Sequence, residues 1–399
     1  MSPPQGSWYE IDMLEQDIGR AIQAAMARVG MSTEQLGRVA ALDVALVVSI
    51  LGGERLASTA KLDRIADALG LDAVALYAGR DVERSLVVLP RHAARTDFRA
   101  EDLPVLRLAL ERGAALAEVS GLLGKENLSR QFEPGPPGAD PAQDGYHRAR
   151  LVRRALENLS GPLDDLPVLL AERFGVPVIE TPLATRSMQA AAVRSTATRA
   201  GAAILNPAVE GGPRPGSSQA WLVNRVSVCH ELCHLLFDEP RGGAIDVVLD
   251  DDPRMGHDKA PIEQRAGAFA AEMLIPLFGL RELFGQEGGQ TDTPAKADAM
   301  VNEVRAHFRT PAEIAVNHLY NHGYVARIQA FREELIGRAQ AREASMPVVQ
   351  PTTEPDAWRR ISIARTKEAH EAGLLTDGAA RALLEVPPGE SLPWELVSP

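Results

Sequence analysis

The stretch "WLVNRVSVCHELCHLLFD", Trp221 to Asp238, constrains the fold more than any other part of the chain. It is long enough for a helix of several turns and apolar on both flanks of its centre, yet the centre carries His230, Glu231 and His234. The flanking "VSV" and "LLF" predict a buried helix, and leaving a polar group unpaired in such a place costs roughly 2 to 7 kcal/mol. Three ionisable side chains in a buried helix therefore need a reason. A 399-residue chain that is 45% hydrophobic can bury a large core around such a helix, and its length predicts two or three domains.

Positions i and i+4 lie one turn apart on the same helix face, so His230 and His234 can direct ring nitrogens at one ion. Zinc takes such nitrogens at about 2.0 to 2.1 Å, and in catalytic sites it usually has three protein ligands and a water. Glu231 projects about 100° round the helix from His230, beside the ion, where it can act as general base toward that water. The competing reading is a buried helix that happens to contain polar letters, and a third ligand is needed to reject it. The following helix, "IEQRAGAFAAEMLIP", offers Glu263 and Glu272. Glu263 is favoured because it shares a face with Ala266, Gly267 and Ala270, small residues that let two helices approach closely.

Around this pair the chain divides by composition. Residues 1–80 read as short capped helices: Ser32 and Gln35 form a capping box ahead of "STEQLGRVAAL", Asp43 caps "VALVVSIL", and "STAKLDRIADALG" stops at Gly70. Their order resembles the helix-turn-helix fold of phage repressors. The segment where a recognition helix belongs reads Val44, Ala45, Leu46, Val47, Val48, which offers no donors or acceptors to base edges. Residues 1–80 also hold ten Asp/Glu against seven Lys/Arg, the wrong sign for phosphate contacts. Docking on a protein is the better use of this module, and DNA binding is weakly supported. Residues 81–145 form a helical connector ending in a Pro/Gly linker, "EPGPPGADPAQDG", and residues 146–345 form a second domain. That domain begins with two helices, turns to strands in "VPVIETPL", "QAAAVRS" and "GAAILNP", then carries the motif helices and "TPAEIAVNHLYNHGYV". Residues 346–399 make a helical tail without an assigned role. The expected class is α+β, mostly α.

The ordered pair "HELCHLLFD" and "EQRAGAFAAEMLIP", preceded by the helix-turn-helix-like module, resembles the ImmA/IrrE family of bacterial metallopeptidases. That family follows H-E-x-x-H with E-x-x-A-x-x-F-A-x-x-L-L-x-P, and the matching residues here are Glu263, Ala266, Phe269, Ala270, Met273, Leu274 and Pro276. The resemblance covers residues 146–335. It implies a zincin-like domain, Zn2+ held by His230, His234 and Glu263, Glu231 as catalytic base, and cleavage of a cytoplasmic partner such as a DNA-binding repressor during stress. Two departures stand out. Cys233 occupies the family's usual Gly, and with Cys229 it reads as a buried pair rather than a ligand or redox pair. His318 and Leu319 stand where the family has Arg-Leu. His318 and His322, one turn apart, are candidates for an oxyanion or substrate contact, against the bland expectation of a solvated polar face. Asp250, Asp251 and Asp252 read as a solvated loop.

The resulting expectation is a cytoplasmic zinc endopeptidase acting on a protein substrate. No signal peptide or spanning segment is legible, and the net charge of -12 disfavours an anionic membrane surface or indiscriminate nucleic-acid binding. The rival expectations are a non-cleaving transcriptional regulator and an antitoxin-like binding protein whose metal is structural, with Cys233 or Asp251 closing the shell.

Overall fold

The computed structural model describes residues 18–27, 31–53, 57–69, 100–195, 199–239, 245–249, 261–285, 290–345, 356–387 and 389–397. Four short helices come first: α1 over 18–27, α2 Thr33–Val39, α3 Val44–Leu51 and α4 Thr59–Leu69. Their caps follow from the sequence. The Ser32 hydroxyl accepts from the Gln35 amide while the Gln35 side chain accepts from the Ser32 amide at 2.7 Å, and the Asp43 carboxylate accepts from the amides of Ala45 and Leu46. Ile22, Leu36, Val47 and Ile65 are buried among these helices. Val44 and Val48 of α3 remain exposed to solvent.

Beyond them, α5 is Leu103–Leu122, α6 Pro141–Ala155, and α7 Leu166–Leu169, which continues into a π turn at Leu170–Phe174. Strands β1 Val178–Glu180, β2 Ala190–Ser195 and β3 Gly201–Leu205 precede the motif helix α8, Ser218–Phe237, and β4 Ile245–Leu249 follows it. The remaining helices are α9 Pro261–Leu274, α10 Leu277–Phe284, α11 Pro294–Phe308, α12 Ala312–Asn321, α13 Gln329–Ser345, α14 Ala357–Glu371 and α15 Asp377–Leu383. No helix among the described residues is long and apolar enough to cross a membrane.

The strands form one sheet in the order β1-β3-β2-β4, with β1 parallel to β3 and the other pairs antiparallel. Ala191 of β2 stands between Ile204 of β3 and Leu249 of β4. Strand β4, with the text "IDVVL", was not anticipated from the sequence. Both β2 and β3 are buried on both faces, which explains their unbroken apolar text. Helix α8 covers one face and α5 the other. On the α5 side, Ala191, Val193, Ala202 and Ile204 share a core with the four N-terminal helices and Trp358 of α14, so the tail helix also belongs to this layer. Helix α5 comes so close to β3 that a side chain at Gly113 would collide with the Gly201 carbonyl oxygen.

On the α8 side, α6 and α9 pack together and complete the larger core. The Pro/Gly stretch ends earlier than its composition predicts, because residues 141–145 already belong to α6. Asp140 caps the helix by accepting from the amides of Ala142 and Gln143, and Pro141 occupies a first-turn position where it costs no hydrogen bond. Gly145 serves packing rather than a turn. A Cβ there would collide with the Arg265 carbonyl oxygen of α9 and lie 2.9 Å from the Ala268 methyl. On helix propensity alone Gly145→Ala would stabilise the protein by about 1 kcal/mol. The collision reverses that sign, and denaturant unfolding should show a net loss of about 1 to 3 kcal/mol; a gain would mean that the two helices do not approach this closely.

Candidate metal centre

Helix α8 is pinned along its whole length before it presents any chemistry. Its start is capped by the Ser217 hydroxyl, which accepts from the Ala220 amide at 3.1 Å. Arg225, buried, donates to the carbonyls of Leu163 at 2.7 Å, Asp164 at 2.9 Å and Arg309 at 3.0 Å. At the far end Arg194 of β2 donates to the His234 carbonyl at 3.2 Å and to the Asp238 carbonyl. The helix thus has little freedom to slide or turn over the sheet.

His230, Glu231 and His234 are all buried on it, the two imidazoles with ring centroids 4.7 Å apart. Across from them, the first turn of α9 delivers Glu263. Its Oε2 lies 3.0 Å from His230 Nε2 and 3.7 Å from His234 Nε2, and one donor atom from each residue falls within 4.8 Å of the others. Four ligands at about 2.0 to 2.1 Å in a tetrahedron stand about 3.3 Å apart, so the two measured separations bracket the spacing that a zinc-sized ion requires. Moreover, His234 Nε2 is buried without a hydrogen bond. Its other nitrogen is committed: Nδ1 and the Asp238 Oδ2 are 2.8 Å apart, which fixes the ring and turns Nε2 toward Glu263. The residues present fit a zinc ion.

The charges follow from this packing. Burial disfavours a protonated His234, but the carboxylates of Asp238 and Glu263 outweigh it and push the ring up to about 9. Burial likewise disfavours an ionised Glu263, yet His234 and His230 hold it well below the usual carboxylate range. Any ion entering must displace the His234 proton, so binding weakens as pH falls. Behind Asp238 stands Arg265 of α9, fully buried, whose guanidinium donates to Asp238 Oδ1, to the Phe237 carbonyl at 3.3 Å and to the Gly135 carbonyl at 2.7 Å.

Glu263, the third candidate favoured from the sequence, therefore meets both histidines, whereas Glu272 does not. Cys229 and Cys233 are buried in the core as free thiols; burial pushes Cys229 up to about 12 and Cys233 well above its ordinary value, which makes them poor nucleophiles. Neither joins a metal-ligating group among the described residues. The expected solvated face at His318 and His322 is overturned: His318 is fully buried, and both rings turn to Glu272 instead of the H-E-L-C-H helix. The Asp250 to Asp252 loop lies outside the described residues. Asp238 was missed, although its i+4 spacing from His234 is written in "HLLFD".

Residues 222–320 match the peptidase M78 family model, described as an IrrE N-terminal-like domain. The matched span includes His230, Glu231, His234 and Glu263, which supports the ImmA/IrrE resemblance for this part of the chain and with it a metallopeptidase domain. No curated protein and no solved structure matches the chain. Removing one member of a buried charge pair leaves the other uncompensated, at a cost of about 3 to 5 kcal/mol. Arg265→Met should therefore lower the unfolding free energy by that amount in denaturant titrations, and a loss under about 1 kcal/mol would show that Asp238 does not depend on the guanidinium.

Proposed function

We propose that this chain is a zinc-dependent endopeptidase, with His230, His234 and Glu263 as ligands and Glu231 as the catalytic base. The observation that carries the reading is the convergence of the Glu263 carboxylate on both imidazoles, with His234 held from behind by Asp238. Two imidazoles and one carboxylate suit zinc better than magnesium, which prefers an octahedron of oxygens. Zinc, when bound, acts as a Lewis acid that lowers the pKa of a water to about 7 and polarises a carbonyl.

The chain's own residues supply the remaining steps. Glu231 follows His230 directly on α8 and is buried beside the ligand set, where a carboxylate oxygen can accept a proton from the attacking water and return it to the departing amide nitrogen. Asp238 keeps the proton of His234 on Nδ1, leaving Nε2 as a lone-pair donor. Arg265 and Arg194 hold the end of the helix and so the distance between base and ligands.

The substrate is a cytoplasmic protein, best a DNA-binding repressor whose removal switches on genes under stress. The N-terminal helices act as a helix-turn-helix-like recruiting module. Exposed Val44 and Val48 on α3, with the acidic balance of residues 1–80, favour protein docking over DNA binding. A non-cleaving regulator or antitoxin-like protein with a purely structural metal is less well supported, since structural sites usually close with four protein ligands and three gather here among the described residues.

Glu231→Gln should keep its zinc, because the ligands are untouched, and lose cleavage of a co-expressed repressor by at least about 100-fold. Equal cleavage by the variant and the wild-type protein would remove Glu231 from the mechanism.

A further inference from the structure

The last turn of α9 carries a second convergence of the same residue types. Glu272 lies nine residues after Glu263, about 13 Å further along the axis and on the opposite side of the helix. It faces His318 on α12 and His322, which caps the end of that helix. Glu272 Oε2 is 3.2 Å from His318 Nε2 and 3.4 Å from His322 Nε2, and the three donor atoms lie within 4.8 Å of one another. Both separations sit at the edge length of about 3.3 Å for a tetrahedron of 2.0 to 2.1 Å bonds.

These atoms are buried and meet one another at ion-pair distance. The side chains of Glu272, His318 and His322 are 0%, 1% and 12% exposed. Glu272 Oε2, His318 Nε2 and His322 Nε2 nevertheless all lack a well-formed hydrogen bond, although both ring nitrogens lie within 3.4 Å of the carboxylate oxygen. Three such atoms at one point in a core are unusual, because buried polar groups nearly always find partners. A shared cation satisfies all three at once.

The surroundings hold the three groups in place. Glu272 Oε1 accepts from Arg150 Nε at 2.8 Å and from the Leu277 amide at 3.1 Å, which leaves Oε2 as the atom presented to the rings. Tyr146 of α6 packs against His318 at 5.4 Å and His322 at 5.2 Å between ring centroids, and its hydroxyl accepts from Asn321 Nδ2 at 2.9 Å. The carboxylate and both rings are therefore oriented by groups outside the cluster.

We infer that Glu272, His318 and His322 form a second site for a zinc-class divalent cation, separate from the one at His230, His234 and Glu263. It clamps the end of α9 to α12 and so steadies the helix that presents Glu263. The partial exposure of His322 leaves room for a water as fourth ligand. Arg150 beside Glu272 adds positive charge to this site, whereas at the first site the positive charge of Arg265 is balanced by Asp238, so the second ion is the more weakly held and leaves first on chelation.

The test is cobalt titration of the full-length, chelator-stripped protein, following the visible absorption of low-coordinate Co2+. The wild-type protein should take about two equivalents, and His322→Gln and His318→Gln about one each, with their circular dichroism unchanged. Glu263→Gln should retain an equivalent that is lost when His322→Gln is added. One equivalent in the wild-type protein, kept in His322→Gln, overturns the second site, as do two equivalents kept in both histidine variants. Because the readout is metal stoichiometry rather than cleavage, a failed second site leaves the peptidase reading intact.

Discussion

The Arg265 guanidinium is the contact on which the rest of the centre depends. It is fully buried, belongs to α9, and bonds the carboxylate and carbonyl that end α8, while a third bond reaches Gly135 in the Pro/Gly stretch. One cation thereby fixes the distance and rotation between the helix that carries both histidines and the helix that carries Glu263. A buried ion pair adds little net stability relative to apolar packing, but breaking one is costly, so its use here is to specify a single helix register. His234 gains its orientation from the same Asp238 carboxylate. Stability and site geometry are thus set by the same group.

The sheet gives these helices a rigid base. Because β2 and β3 are buried on both faces, α8 and α5 lie on opposite sides of the sheet, and small residues allow close approach within these layers: Gly113 of α5 against Gly201 of β3, and Gly145 of α6 against α9. Such approaches leave little room for rotation, since an added methylene forces neighbours off their rotamers at about 1 to 3 kcal/mol. The same core unites the N-terminal helices with the sheet, so a partner docked on α3 would sit on a body continuous with the one that carries the metal centre.

Much of this was legible in the residues because the signals were local. The capping box at Ser32, the Asp43 cap, the motif helix and the choice of Glu263 over Glu272 each rest on spacing within one or two turns, and the structure agrees on their geometry. What escaped depends on contacts between distant segments. Helix α5 looked like a connector because nothing in its own text says that β3 lies against Gly113. His318 and His322 read as a polar surface because the carboxylate that draws them inward is 46 residues away from the nearer one. Residues 141–145 read as linker because Pro and Gly usually break helices, whereas Pro141 sits in the first turn and Gly145 at a helix crossing. Strand β4 is a five-residue run following the motif helix, and its pairing with β2 spans about 50 residues of sequence.

Both His and Glu clusters present only nitrogen and oxygen donors, and the two cysteines lie in the core outside them. X-ray absorption at the zinc edge of the full-length protein reads this donor set directly. The first shell should hold light atoms alone at about 2.0 to 2.1 Å with imidazole multiple scattering. A sulfur shell at about 2.3 Å, or protein that binds no zinc at all, would contradict it.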